Sequence, residues 1–148
     1  MSANLAIAFA MALIAGFGVG IQSPINGALG QHVNSGLFAA LVSFGVGFLT
    51  LTILNFANGN VAALRALPSA PWWMFTGGLL GAFAVYSALT NVSKLGALTM
   101  VSTILFGQLL AALFIDTFGF GSVSAQALSA PRIMAIFMIG GGIILSRY

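Results

Sequence analysis

The residues best placed to do chemistry are three amides and one acid: Gln22, Asn26, Gln108 and Asp116. Gln22 and Asn26 lie one helical turn apart and so share a face. Pro24 between them lacks an N–H, which deprives the carbonyl of Gly20 of its intrahelical donor. An uncharged polar side chain in an apolar segment costs free energy unless it finds a partner. Two readings therefore stand for each amide: the hydrogen-bonding wall of a substrate cavity, or a clamp between helices. Ser43 and the aromatic residues Trp73, Phe75 and Tyr86 join them as candidate lining groups. Trp72 and Trp73 open a span, where indoles anchor at the membrane interface, and helical spacing sets the two about 100° apart. Such a cavity should favour neutral, weakly polar or delocalised solutes, recognised without ion pairs.

Asp116 is the only acidic side chain. It falls toward a helix C-terminus, where the dipole disfavours negative charge, so a compensating cation is expected. Arg132, assigned to the same membrane side, makes a structural ion pair the first reading, with a proton or cation role second. His32, the only histidine, lies in a connector and on the opposite side from Asp116. No triad, metal cluster or cysteine chemistry can be assembled, so no catalytic residue, metal or cofactor is expected.

The elements that position these groups follow from composition. Of 148 residues, 60% are apolar and 3% charged, where a soluble domain carries about a quarter charged. Four basic and one acidic side chain cannot clothe a water-exposed surface. The net charge of +3 comes from scattered cations without a patch, so nucleic acid is not an expected partner. A hydrocarbon core about 30 Å thick calls for roughly 20 apolar residues per helix. Five segments answer that description: 5–27, 36–56, 72–92, 95–117 and a shorter one at 131–146. The expectation is an all-α, polytopic membrane protein with one transmembrane domain of five helices. The third and fourth spans, separated only by Ser93-Lys94, are expected to form a tight antiparallel hairpin. The first span lacks a basic leader and exceeds a signal h-region in length, so it reads as a span.

Glycine is concentrated inside these segments. Gly16 and Gly20 form a small-xxx-small pair that lets helix backbones approach closely, and Gly140, Gly141 and Gly142 are candidates for dimer contact. No strand or lysine accompanies any of them, which excludes a nucleotide loop.

Five spans place Arg65 and Arg132 on one aqueous side, and Lys94 and Arg147 on the other. Orientation is normally set by an excess of Lys/Arg on the cytoplasmic side, and here there is none. One reading is that another factor, such as span hydrophobicity or a partner, fixes a single orientation. The favoured reading is insertion both ways up, with opposite copies paired as an antiparallel homodimer of ten helices, an inverted arrangement common in alternating-access transporters. The expected partners are membrane lipid, a second copy of the chain and a small-molecule solute.

The motif string is similar to that of a known family. Gln22-x-x-x-Asn26, Ser43-Phe44-x-x-Gly47, Pro71-Trp72-Trp73 with Gly77-Gly78-x-x-Gly81, Leu95-Gly96, and Gly107-Gln108 with Ile115-Asp116-x-Phe118-Gly119 together resemble the YdcZ-like family. This is a group of small five-span bacterial membrane proteins in the drug/metabolite transporter superfamily. The resemblance covers nearly the whole chain and implies an exporter-like transporter of small solutes in the bacterial inner membrane. Small multidrug resistance proteins, related to this family, place a Glu in the first span. This chain contains no Glu, and Gln22 falls at about that position, which counts against coupling by a first-span carboxylate. A non-transporting assembly or regulatory subunit is the alternative function, and a passive pore a third.

Overall fold

In hydrocarbon, backbone N–H and C=O groups must be satisfied within the chain's own secondary structure, so apolar runs of this length become helices. The computed structural model describes residues 3–120, 124–127 and 129–146, and its elements are helical throughout. They are α1 (Ala3–His32), α2 (Gly36–Ala57), α3 (Thr76–Leu95), α4 (Ala97–Phe118) and α5 (Ala130–Leu145). A 3-10 stretch, Asn60–Ser69, follows α2, and another, Trp72–Phe75, leads into α3. Asn4–His32, Gly36–Ala57, Trp72–Leu95 and Ala97–Phe118 are each long and apolar enough to cross a membrane. The 16 residues of α5 rise about 24 Å at 1.5 Å each, less than a full hydrocarbon core. Arg147, counted in the charge balance, and residues 121–123 and 128 of the last loop lie outside the described residues.

The chain divides into two compact units, Met1–Ser93 and Lys94–Tyr148. In the first, α1 runs through Pro24 and past Gly27 to His32, absorbing part of the expected connector. Just beyond its end, Asn34 has a left-handed φ of 54°. The Ser35 N–H donates to the Gly30 carbonyl at 3.0 Å and the Asn34 N–H to the Gln31 carbonyl at 3.3 Å, closing the last turn. Ser35 then caps α2, its Oγ accepting the Phe38 N–H at 3.2 Å. A short polar connector thus stops one helix and starts the next, and α1 packs against α2.

The buried apolar residues of this unit are small or slender: Ala39, Ala40, Ala88 and Leu89. Gly36 makes the closest approach, since a Cβ there would stand 2.9 Å from both Leu89 Cδ1 and Thr90 Cγ2. Thr90 Oγ1 donates to the Tyr86 carbonyl at 2.8 Å, which holds the Thr90 methyl in place. Large apolar side chains such as Leu13, Phe17, Phe48 and Phe83 point outward, as expected where the solvent is lipid.

In the second unit α4 and α5 lie antiparallel. Thr99 Oγ1, near the start of α4, donates to the Ser146 carbonyl at 3.3 Å, beyond the end of α5. The Phe106 ring rests on Gly140, where an added Cβ would meet Cε2 at 3.2 Å. The break before α4 falls at Gly96, because α3 absorbs Ser93 and Lys94. With φ 79° and ψ 154°, Gly96 occupies a region essentially reserved for glycine, which is why the helical run breaks at this residue.

Overpacking a tight approach costs about 1–3 kcal/mol. In detergent-solubilised monomer, Gly36→Leu is therefore expected to lower the thermal unfolding midpoint. Gly16→Leu, where a Cβ meets nothing within 4 Å, is expected to leave the midpoint unchanged or raise it. Identical midpoints for the two variants would contradict this packing.

Candidate functional site

Polar side chains on the membrane helices mostly turn back on their own backbone. Thr50, Thr52, Asn55 and Asn58 each donate to the carbonyl four residues earlier, at 2.7 or 2.8 Å. Several amides, Asn26 and Gln22 among them, behave differently. Asn26 is buried and its Nδ2 donates across to Ser43 Oγ at 3.0 Å, joining α1 to α2. Gln22, one turn earlier on the same face of α1, makes no hydrogen bond among the described residues.

Gln22 opens instead onto a groove of about 380 Å³, lined with Ser43, Phe44, Gly47, Phe48 and Leu51 of α2. That volume suits a small organic molecule. The α2 residues follow helical spacing, i, i+3, i+4 and i+7 from Phe44, so they form one continuous wall. Gly47 keeps the wall open, since a Cβ there would meet nothing within 4 Å. The arrangement offers one amide, with a donor and an acceptor, beside two aromatic rings in an apolar surround. It can orient a single polar group of a solute and stack or pack the remainder.

The other candidates are distributed around this groove or away from it. Tyr86 lines a neighbouring hollow with Ser35, Phe38, Leu41 and Ala82, and Phe44 borders both hollows. Trp73 and Phe75 lie in the 3-10 lead into α3 and line neither. Gln108 is exposed on α4, in the second unit, and makes no hydrogen bond among the described residues. Gly16, Gly20, Gly141 and Gly142 would meet nothing within 4 Å if given a Cβ.

At the far end of the second unit, Arg132 Nη1 lies 3.4 Å from Asp116 Oδ2, with both side chains about one-third exposed. Asp116 closes α4 and Arg132 opens α5, so each charge faces the unfavourable end of its own helix dipole and offsets the other. Arg132 Nη2 also donates to Gln126 Oε1, and the Gln126 N–H donates to the Asp116 carbonyl. Gln126 is thereby pinned to the end of α4. Gln126 was not legible as a member of this cluster, because a lone Gln in a Gly/Ser-rich loop carries no positional signal. Phe48 and Leu51 did carry one, in their helical spacing from Phe44.

Residues 7–145 match the family described as "Putative inner membrane exporter, YdcZ". The chain belongs to the YdcZ family. It is 30% identical over 148 residues to the inner membrane protein YdcZ of Escherichia coli (strain K12), covering 99% of this chain and 98% of that protein. No solved structure matches it. This YdcZ-family chain is thus a multi-pass inner membrane protein of exporter type, consistent with the drug/metabolite transporter superfamily.

Interhelical hydrogen bonds in a membrane have a mean worth of about 0.6 kcal/mol and an upper value of about 1.7. A double-mutant cycle of Asn26→Ala and Ser43→Ala, read by detergent unfolding, is expected to give a coupling in that range. A coupling of zero would show that the two side chains do not hold α1 to α2.

Proposed function

We propose that this chain is the subunit of a small-solute exporter that crosses the inner membrane five times. The single observation carrying this reading is the Gln22 amide, unbonded and set in an aromatic groove, in a chain of an exporter family. In lipid an amide without a partner is unfavourable, so a free one at a groove is best accounted for by a ligand that it bonds in turn. The solute is neutral, weakly polar or delocalised, since no charged side chain lines the groove.

In this reading α5 is the fifth span. Local bilayer thinning accommodates a helix of its length at modest cost. Two copies pair as an antiparallel homodimer of ten helices and work by alternating access around a shared pocket. Support comes from the even division of Lys and Arg between the two sides, which gives the insertion machinery no preferred orientation. Gly16, Gly20, Gly141 and Gly142, with open space beside them, are available for contact with the second copy. The competing reading, a non-transporting assembly or regulatory subunit, draws on the Asn26–Ser43 bond, which clamps α1 to α2. Gln22 clamps nothing, and that favours transport.

Efflux of a planar aromatic dye from proteoliposomes tests the groove. Gln22→Ala should lower saturable flux about tenfold, the upper worth of one hydrogen bond, and Gly47→Leu should abolish it by filling the groove. Unchanged flux in both variants would remove the groove from the transport path, and flux that never saturates would indicate a pore. The dimer is tested separately, by tagging each terminus in cells. Both ends should be found on both sides in comparable amounts, and a single orientation would eliminate the antiparallel pair.

A further inference from the structure

Three hydroxyls lie on α2, at Ser43, Thr50 and Thr52. Thr50 and Thr52 give their protons to the Val46 and Phe48 carbonyls at 2.8 and 2.7 Å, the usual course for a hydroxyl in a helix. Ser43 departs from it. Its Oγ accepts the Asn26 Nδ2–H at 3.0 Å, and among the described residues it donates to nothing, the Ala39 carbonyl four residues back included. A hydroxyl carries one proton and two lone pairs, so Asn26 occupies a lone pair and leaves the proton unspent. Asn26 is only 7% exposed, whereas Ser43 lines the Gln22 groove. The amide that holds the hydroxyl is therefore out of a solute's reach, and the hydroxyl is within it.

The groove thus offers two unspent polar groups. The Gln22 carboxamide sets a donor and an acceptor side by side in one plane. The complement of that edge is a second cis-amide edge, an N–H beside a C=O, which closes two hydrogen bonds at once. A carbonyl oxygen has two lone pairs, so one can take the Gln22 N–H and the other the Ser43 O–H. A solute with one polar atom would leave part of this set unpaired in an apolar surround, at a cost in free energy. Phe44 and Phe48 beside these groups supply aromatic surface for a ring fused to the amide edge.

We propose that the groove selects flat, neutral heteroaromatic lactams. Gln22 pairs with the N–H/C=O edge, Ser43 donates a third hydrogen bond to the same carbonyl, and Asn26 is the positioning residue that keeps the Ser43 proton available. This rests on the reading of the Gln22 groove as the transport site and names its substrate class.

Isothermal titration of the full-length protein in detergent, referenced to empty micelles, tests it with three ligands. Carbostyril is a bicyclic lactam, N-methylcarbostyril keeps the carbonyl but lacks the N–H, and tetrahydroquinoline keeps the N–H but lacks the carbonyl. Wild type is expected to bind carbostyril about fivefold more tightly than its N-methyl form, the worth of one hydrogen bond. Gln22→Ala should erase that preference. A loosened groove alone would weaken all three ligands equally, whereas Ser43→Ala should cost the two carbonyl ligands about fivefold more than it costs tetrahydroquinoline. Asn26→Ala lets the hydroxyl turn back to the Ala39 carbonyl, so it should show the same differential, and the double variant should show no more. No preference for carbostyril in wild type, a preference that survives Gln22→Ala, equal losses across the three ligands in Ser43→Ala, or additive differentials in the double variant would each overturn the proposal. Carbostyril that fails to bind while dye efflux still requires Gln22 would overturn this substrate class and leave the transport site standing. Binding that requires Gln22 beside efflux that does not would uphold the recognition and remove the groove from transport.

Discussion

The absence of water is the constraint on which this structure depends. A hydroxyl or amide on a soluble helix can always fall back on solvent, whereas in hydrocarbon it must find a partner on the chain or go without. The hydrogen bonds along α2 show how completely that demand is met. Thr50, Thr52, Asn55 and Asn58 all fold back on carbonyls of their own helix, and Asn26 and Ser43 satisfy each other across two helices. Against that background an amide with no partner is an informative object. Gln22 is informative because its neighbours one turn away are so thoroughly paired.

The same constraint shapes the packing. Lipid is as apolar as leucine, so burying large side chains between helices gains little, and close approach of backbones gains more through dispersion. Ala39, Ala40 and Ala88 are buried for this reason, while phenylalanines and leucines face outward. Gly36 shows the limit of the strategy, with less than a methyl's worth of room against Leu89 and Thr90. Glycine is not uniformly a packing residue here, however. Gly36 and Gly140 touch neighbours within their own units, and Gly16 and Gly20 touch none, so identical residue types in similar segments have different local meanings.

How much of this was legible in the sequence depended on whether the signal was local. Helical spans follow from composition alone, because apolar runs in lipid have no alternative conformation. The Asp116–Arg132 contact follows from scarcity, since one acid at a helix end has few cations to meet. Boundaries were less legible. Ser93 and Lys94 are polar and look like a turn, yet neither can adopt the backbone that Gly96 takes freely, and α3 runs on to Leu95. The distinction between Asn26 and Gln22 was not legible at all. One turn apart on one face, they are equivalent in any helical projection. Only the register of α2, which brings Ser43 level with Asn26 and the open side of Gly47 into the groove by Gln22, separates a clamp from a candidate ligand group.

That register also explains why a single pair of helices can serve both stability and recognition. The Asn26–Ser43 bond fixes the depth at which α1 and α2 meet, and the groove lies one turn away, close enough to inherit that precision without giving up its own amide. Pro24 falls between the two levels and frees the Gly20 carbonyl from its normal donor, adding an acceptor of the backbone on the side of the clamp nearer Gln22. Removing the Asn26 amide would therefore act on the groove through geometry, loosening the distance between Gln22 and Phe44 while every lining side chain, Ser43 included, stayed in place. Removing Gln22 would leave the helix pair intact and subtract chemistry alone. The two effects stay apart because the two amides sit on different turns of α1, with Ser43 of α2 common to the clamp and the groove.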